Sequence, residues 1–120
     1  MNTGLCSLGI DCGSAALKIV VADPDLTVLH TSYAFHKGKP LDLIRDFLEN
    51  SGFGPFRDVA CTAGTPAAVH ADYRSENNIC FIEGVRRVHP GVRNILVVGA
   101  EKFARIIFDQ DGSYRKMRSN

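Results

Sequence analysis

The stretch from Ser7 to Asp23 constrains this chain more than any other. An apolar run ends at Gly9-Ile10, a polar turn spans Asp11 to Ala15, and a second, β-branched run begins at Leu17. Both runs are short, so the pattern predicts two strands joined by a compact turn. Gly13 is expected to supply the φ freedom of that turn and to leave no side chain between backbone and ligand. Such a turn aims successive backbone N–H groups at one point and makes a nest for an anion. Asp11, at the end of the first strand, is placed to hold a hydrated cation beside that anion. Ser14 adds a hydroxyl and Lys18 a positive charge. The chemistry indicated is magnesium plus a polyphosphate, with Asp11 as the candidate catalytic and metal-binding residue.

An ordinary β-hairpin with a solvated polar turn is the competing reading of the same spacing. A Walker loop is excluded, because Gly-x4-Gly-Lys-Ser/Thr is absent and no helix follows the glycine. A dinucleotide fingerprint is excluded too, since Gly9 and Gly13 have the wrong spacing and a strand follows them.

A chain of 120 residues has room for one compact domain of modest size. Its net charge of +1 and the lack of a basic cluster argue against a nucleic-acid surface. The start has no charged n-region followed by an apolar core, and no stretch approaches the length of a membrane span. Cytoplasmic localisation is the expectation. The four cysteines, Cys6, Cys12, Cys61 and Cys80, lack metal-ligand rhythm. Cys6 and Cys61 sit in apolar runs and read as small buried hydrophobes. Cys12 is expected to point inward, as the alternate of Asp11.

Further along, Leu26 to Phe35 reads as a third strand with a weak period of two, and 36–39 as a polar spacer. Pro40 and Gly52 bracket a helix with Leu41, Ile44, Phe47 and Leu48 on one face. Arg57 to Thr62 reads as a strand parallel to an earlier one, reached by that crossover helix. Ala67 to Val69 is a candidate helix start, and Asn78 to Val88 a second helix despite Gly84. Arg86, Arg87 and Arg93 read as a solvated face. Asn94 to Gly99 is expected to be a strand buried on both faces. Phe103 to Asp109, a turn at Gly112 and Ser113 to Met117 complete a hairpin.

The spelling Leu8-Gly9-Ile10-Asp11-x-Gly13-Ser14-x-x-x-Lys18 resembles the first phosphate motif of the actin-like ATPase superfamily. Within it, the motif is similar to that of the activator ATPases of 2-hydroxyacyl-CoA dehydratases and benzoyl-CoA reductases, the CoA-substrate-specific enzyme activases. The resemblance implies an α/β, ribonuclease-H-like lobe. Its mixed sheet has three meandering strands, then parallel strands and crossover helices. Residues 1–92 would form the first lobe, and 93–120 the opening strands of a second. ATP and Mg2+ are the implied cofactors, with Asp11 in the magnesium shell, Gly13 and Ser14 making backbone contacts, and Lys18 supplying charge to phosphate. Gly99 and Glu101 would belong to the second phosphate turn.

Family members continue into a Cys-Ala-Ala-Gly-Thr-Gly motif and a later cysteine, which hold a four-iron, four-sulfur cluster between two subunits. Neither occurs here, so the chain is expected to be part of a longer protein that alone carries the cluster. The implied partners are an acyl-CoA dehydratase or reductase component and an electron donor such as ferredoxin or flavodoxin. A second subunit or tandem module is also implied. The Gly99-Ala100-Glu101-Lys102-Phe103 spelling is similar to the first module of long, multi-module members.

Two positions depart from the family. Val97 stands where the second phosphate turn carries a cation-facing aspartate, and Ala63-Gly64-Thr65-Pro66-Ala67 replaces Thr-Gly-Tyr-Gly-Arg. Three functions therefore stay open. One is an ATP-driven electron donor. Another is a non-hydrolysing nucleotide sensor or docking module. The third is a sugar- or acetate-kinase-like phosphotransferase, for which no acceptor-binding acid is apparent.

Overall fold

A computed structural model describes residues 4–119 of the chain. These residues fall into two compact units, divided after Glu76.

The first unit is built on a five-stranded sheet. Strand β1 (Ser7–Cys12) lies at its centre, β2 (Ala16–Ala22) and β3 (Val28–Phe35) follow on one side, and β4 (Asp58–Thr62) and β5 (Tyr73–Ser75) on the other. The β1–β2 and β2–β3 pairs are antiparallel, while β1–β4 and β4–β5 are parallel. The crossover to β4 is made by helix α1 (Pro40–Asn50), with Pro40 in its first turn. Gly52 just beyond it takes a positive φ that L-residues disfavour.

Alternation on β1 and β2 decides which face is dry. Leu8, Ile10 and Cys12 point with Leu17, Ile19 and Val21 into one core, closed by Ile44 of α1 and by Cys61. Leu43 and Phe47 pack on that core from the helix, whereas Leu41 and Leu48 stay substantially exposed. The buried stripe of α1 is thus Leu43-Ile44-Phe47, one residue round from the expected face. His30 of β3 stacks on Phe47 at 5.6 Å and lies against Phe53 at 5.3 Å, extending the core to the sheet edge. Cys6 is only half-buried, while Cys12 and Cys61 are buried as expected.

Several boundaries differ from the sequence pattern for identifiable reasons. Strand β3 begins at Val28 because the Asp23 carboxylate accepts the Asp25 and Thr27 amides, winding 23–27 into a turn with Leu26 at positive φ. No helix starts at Ala67. The segment 63–72 instead makes turns and delivers the short strand β5, which no period in its sequence announces. Arg74 of β5 explains the path: its guanidinium donates to the carbonyls of Thr65, Pro66 and Val69. Carbonyl groups that a helix would have paired internally are held by one cation instead.

The second unit contains helix α2 (Asn77–Val88) and a three-stranded antiparallel sheet in the order β6 (Asn94–Val98), β7 (Phe103–Phe108), β8 (Tyr114–Ser119). Ile95, Ile106 and Phe108 form its core, with Ile82 and Val85 of α2 packed on them. Strand β6 is not buried on both faces. Leu96 is 61% and Val98 71% exposed, and only the Ile95–Val97 side faces α2. Arg86 is not a solvated residue either. It lies 4.3 Å over the Phe108 ring and hydrogen-bonds the Gly112 carbonyl, pinning the β7–β8 turn. Gly112 has the positive φ that the turn requires.

One close approach governs the central strands. A Cβ at Gly9 would lie 2.7 Å from Cγ1 of Val20, its cross-strand partner. Gly9→Ala is expected to destabilise the first unit by roughly 1–3 kcal/mol, the cost of overpacking a stiff β-branched neighbour. Adding Val20→Ala should recover most of that loss, as read from denaturant midpoints of the single and double variants.

Candidate functional site

The β1–β2 hairpin brings Asp11, Gly13 and Lys18 together, with Ser14 exposed at its tip. Asp11 and Lys18 are directly opposed across the strands. Alternation turns both away from the core, so the Lys18 ammonium reaches Asp11 Oδ2 at 3.4 Å. The pair is partly open to solvent, 26% exposed at Asp11 and 40% at Lys18. In that setting an ion pair adds little stability, about 0–1 kcal/mol. Its charges remain available to a ligand.

Gly13 does not use left-handed backbone, contrary to the expected φ freedom. Its role is space. A Cβ there would stand 3.2 Å from the Lys18 ammonium and 3.5 Å from the Ala16 carbonyl. The Gly13 N–H closes the hairpin on the Ala16 carbonyl at 2.9 Å, and the Cys12 N–H donates to Thr65 Oγ1 at 3.3 Å. Backbone donors for an anion must therefore come from the tip, Ser14 and Ala15.

Three contributors to this corner escape sequence reasoning. Thr62, one place beyond the Ile10–Cys61 pair of the β1–β4 ladder, donates from Oγ1 to Asp11 Oδ1 at 3.0 Å. Thr65 lies beside it, with the two hydroxyl oxygens 3.2 Å apart. His36, buried at the end of β3, clamps the turn: Nε2 donates to the Gly13 carbonyl at 2.9 Å while Nδ1 accepts from the Gly38 amide at 3.1 Å. Acceptance at Nδ1 fixes the neutral tautomer that carries its proton on Nε2. The only advance signal for Thr62 was its place in β4, which becomes informative once the parallel register is known.

In the second unit, Gly99 closes the β6–β7 hairpin on the Lys102 carbonyl at 2.8 Å, the place Gly13 holds in the first hairpin. Glu101 is exposed in that turn. Val97, two residues before Gly99, packs partly buried against the second core rather than standing out as Asp11 does.

A single carboxylate beside a hydroxyl and an ammonium suits a hard, water-rich cation such as Mg2+, which keeps most of its hydration shell and takes one or two protein oxygens. It does not suit an iron–sulfur cluster. Among the described residues no three His, Cys, Asp or Glu side chains gather to bind a metal. No helix of the described residues is long and apolar enough to cross a membrane.

No family profile and no curated protein matches the sequence. Solved structures do match the fold. The activator of the 2-hydroxyisocaproyl-CoA dehydratase from Clostridium difficile, with bound ADPNP, superposes at a TM-score of 0.81 with 19% identity, over 97% of this chain and 46% of that one. Component A of the (R)-2-hydroxyglutaryl-CoA dehydratase from Acidaminococcus fermentans gives 0.81 with 21% identity, over 98% of this chain and 48% of that one. An exopolyphosphatase from Cytophaga hutchinsonii gives 0.64 at 15% identity, over 96% and 50%. The chain thus spans about half the length of these structures. It shares the fold of these structures, a ribonuclease-H-like α/β lobe with a mixed sheet.

Burial above all, and the Asp11 charge after it, push the Cys12 thiol above its usual range, with Lys18 opposing. A raised folded value favours the neutral thiol. That contribution is whole below the pKa of the unfolded thiol and disappears as pH rises through the folded one. At pH 8, alkylation of Cys12 by iodoacetamide is expected to be at least about ten-fold slower than that of half-buried Cys80, by peptide mass spectrometry, with the difference abolished in denaturant. His36→Ala, which leaves the Gly38 amide and Gly13 carbonyl unpaired, should lower the stability of the first unit by about 1–2 kcal/mol.

Proposed function

We propose that this chain is the nucleotide-binding lobe of an ATP-dependent activator that drives low-potential electron transfer to a 2-hydroxyacyl-CoA dehydratase or benzoyl-CoA reductase type enzyme. The observation that carries the reading is the Asp11–Lys18–Thr62 corner. It sits at the first hairpin of a lobe whose fold superposes at 0.81 on an activator solved with ADPNP. Mg2+, when bound, would neutralise charge developing on the transferred phosphoryl group. Asp11 would orient the hydrated cation, and Lys18 would carry positive charge to the phosphates. Ser14 and the small residues Gly13 and Ala15 would let backbone approach the anion. Gly99 and Glu101 would take the corresponding place at the second phosphate turn. In the parent protein, the remaining length would complete the second lobe and carry the iron–sulfur ligands. The partners would be a dehydratase or reductase component, a ferredoxin- or flavodoxin-like donor and a second subunit or module. A cytoplasmic location fits such partners.

Val97 favours a second reading, in which the lobe senses nucleotide or docks a partner without hydrolysis. A valine packed against the Ile95–Ile106–Phe108 core cannot position metal or water.

Calorimetric titration of the chain with Mg-ATP should give micromolar binding that weakens at least about ten-fold in Asp11→Ala, and comparably when Mg2+ is chelated. Binding indifferent to both changes would remove the first hairpin from the nucleotide site. Tight binding with no phosphate release by the full-length protein would select the non-hydrolysing reading.

A further inference from the structure

We propose that Thr62 and Thr65 form a directed hydroxyl relay that positions Asp11 so that a single oxygen, Oδ2, is presented to a hydrated divalent cation. The proposal rests on the reading of Asp11 as the cation-facing residue and names the groups that set its orientation.

The direction follows from donor counting. A backbone N–H only donates, an ionised carboxylate only accepts, and each threonine hydroxyl carries one proton. The Cys12 N–H points to Thr65 Oγ1 at 3.3 Å, and Thr62 Oγ1 lies 3.0 Å from Asp11 Oδ1. The Thr62 proton is therefore committed to Asp11. The 3.2 Å contact between the hydroxyls can then be made only by the Thr65 proton pointing to Thr62. Every member has one assigned direction, from the Cys12 amide through Thr65 and Thr62 to Asp11.

Both threonines are shielded from competing water, Thr62 being 4% and Thr65 3% exposed. The far end is anchored by Arg74, whose guanidinium holds the carbonyls of Thr65, Pro66 and Val69. Oδ1 of Asp11 is thereby occupied on its buried side. Oδ2 has the partly exposed Lys18 ammonium as its neighbour at 3.4 Å. An arriving cation meets Lys18, a partly exposed competitor, and leaves the part-buried hydrogen bond to Thr62 intact. Displacement of Lys18 from Oδ2 frees its charge for the phosphates. Neither threonine touches the ligand, so both are positioning residues.

The test compares Thr62→Val, which keeps shape and removes the proton, with Thr62→Ser, which restores it. The first readout needs no nucleotide. In the unmodified protein, slowly exchanging hydroxyl protons of Thr62 and Thr65 should be visible by NMR. Thr62→Val should move the Asp11 carboxyl carbon and Cys12 amide signals, and Thr62→Ser should return them. Absent hydroxyl signals, or an unmoved Asp11 carboxyl in Thr62→Val, would overturn the relay.

The second readout is the ratio of ATP-analogue affinity in Mg2+ to that in chelator. Thr62→Val should cut this ratio about ten-fold, the size of one hydrogen bond to a charged group, with affinity in chelator unchanged. Thr62→Ser should keep the ratio. An equal loss in both conditions, or no rescue by serine, would make Thr62 merely structural and sink the proposal. Should Thr62→Val fail to fold, Thr65→Val breaks the relay one link further away, and an unchanged ratio there would count against it. Failure of the unmodified chain to bind nucleotide would refute the proposed function instead, and the NMR readout would then decide the relay alone.

Discussion

Strand β1 is flanked on both sides, antiparallel by β2 and parallel by β4, and its alternation fixes everything around it. Leu8, Ile10 and Cys12 must share a face to make a core under α1, which forces Ser7, Gly9 and Asp11 onto the other. A slip of one residue would bury Asp11 and expose Leu8. The polar corner is thus a by-product of the same pattern that makes the core. Gly9 is part of that constraint, since Val20 occupies the space its side chain would need. With the register locked, Asp11 meets Lys18 across one ladder and Thr62 across the other.

The two hairpins make an instructive pair. Each closes on a glycine amide three residues before its acceptor carbonyl, Gly13 to Ala16 and Gly99 to Lys102. In the first, the residue two places before the glycine is Asp11, on the open face. In the second it is Val97, on the face that packs under α2. Similar backbone thus carries opposite side-chain chemistry. A carboxylate at 97 would have to enter an apolar cluster or force it to repack.

Legibility in the sequence followed the range of the interactions. The meander, α1, β4 and the β6–β7–β8 run were readable, because period-two and period-3.6 burial, Pro40, Gly52 and Gly112 are local signals. The Asp11–Gly13–Lys18 part of the corner was readable because one short hairpin contains it. Thr62, Thr65 and His36 were not, since they meet Asp11, Cys12 and Gly13 only through strand order. Strand β5 was hidden because three exposed residues have no burial period, and its neighbour loop is organised by Arg74 rather than by propensity. On α1 the period alone did not choose between Leu43 and the Leu41/Leu48 side of the stripe; Leu43 packs on the core while Leu41 and Leu48 stay exposed.

The outermost strands are guarded unequally. Strand β8 is exposed along its whole length but carries Arg115, Lys116 and Arg118, charges that repel a like strand arriving at its free hydrogen-bonding groups. Strand β3 has no charged residue, and Val28, Leu29, Tyr33 and Phe35 stand exposed on it. Its one structural guard is the irregular register beside Val21 and Ala22, which interrupts a flat template near its start. The later half of β3, next to the hairpin that bears Asp11, is therefore an uncharged, apolar edge of the first sheet and a ready template for self-association during folding.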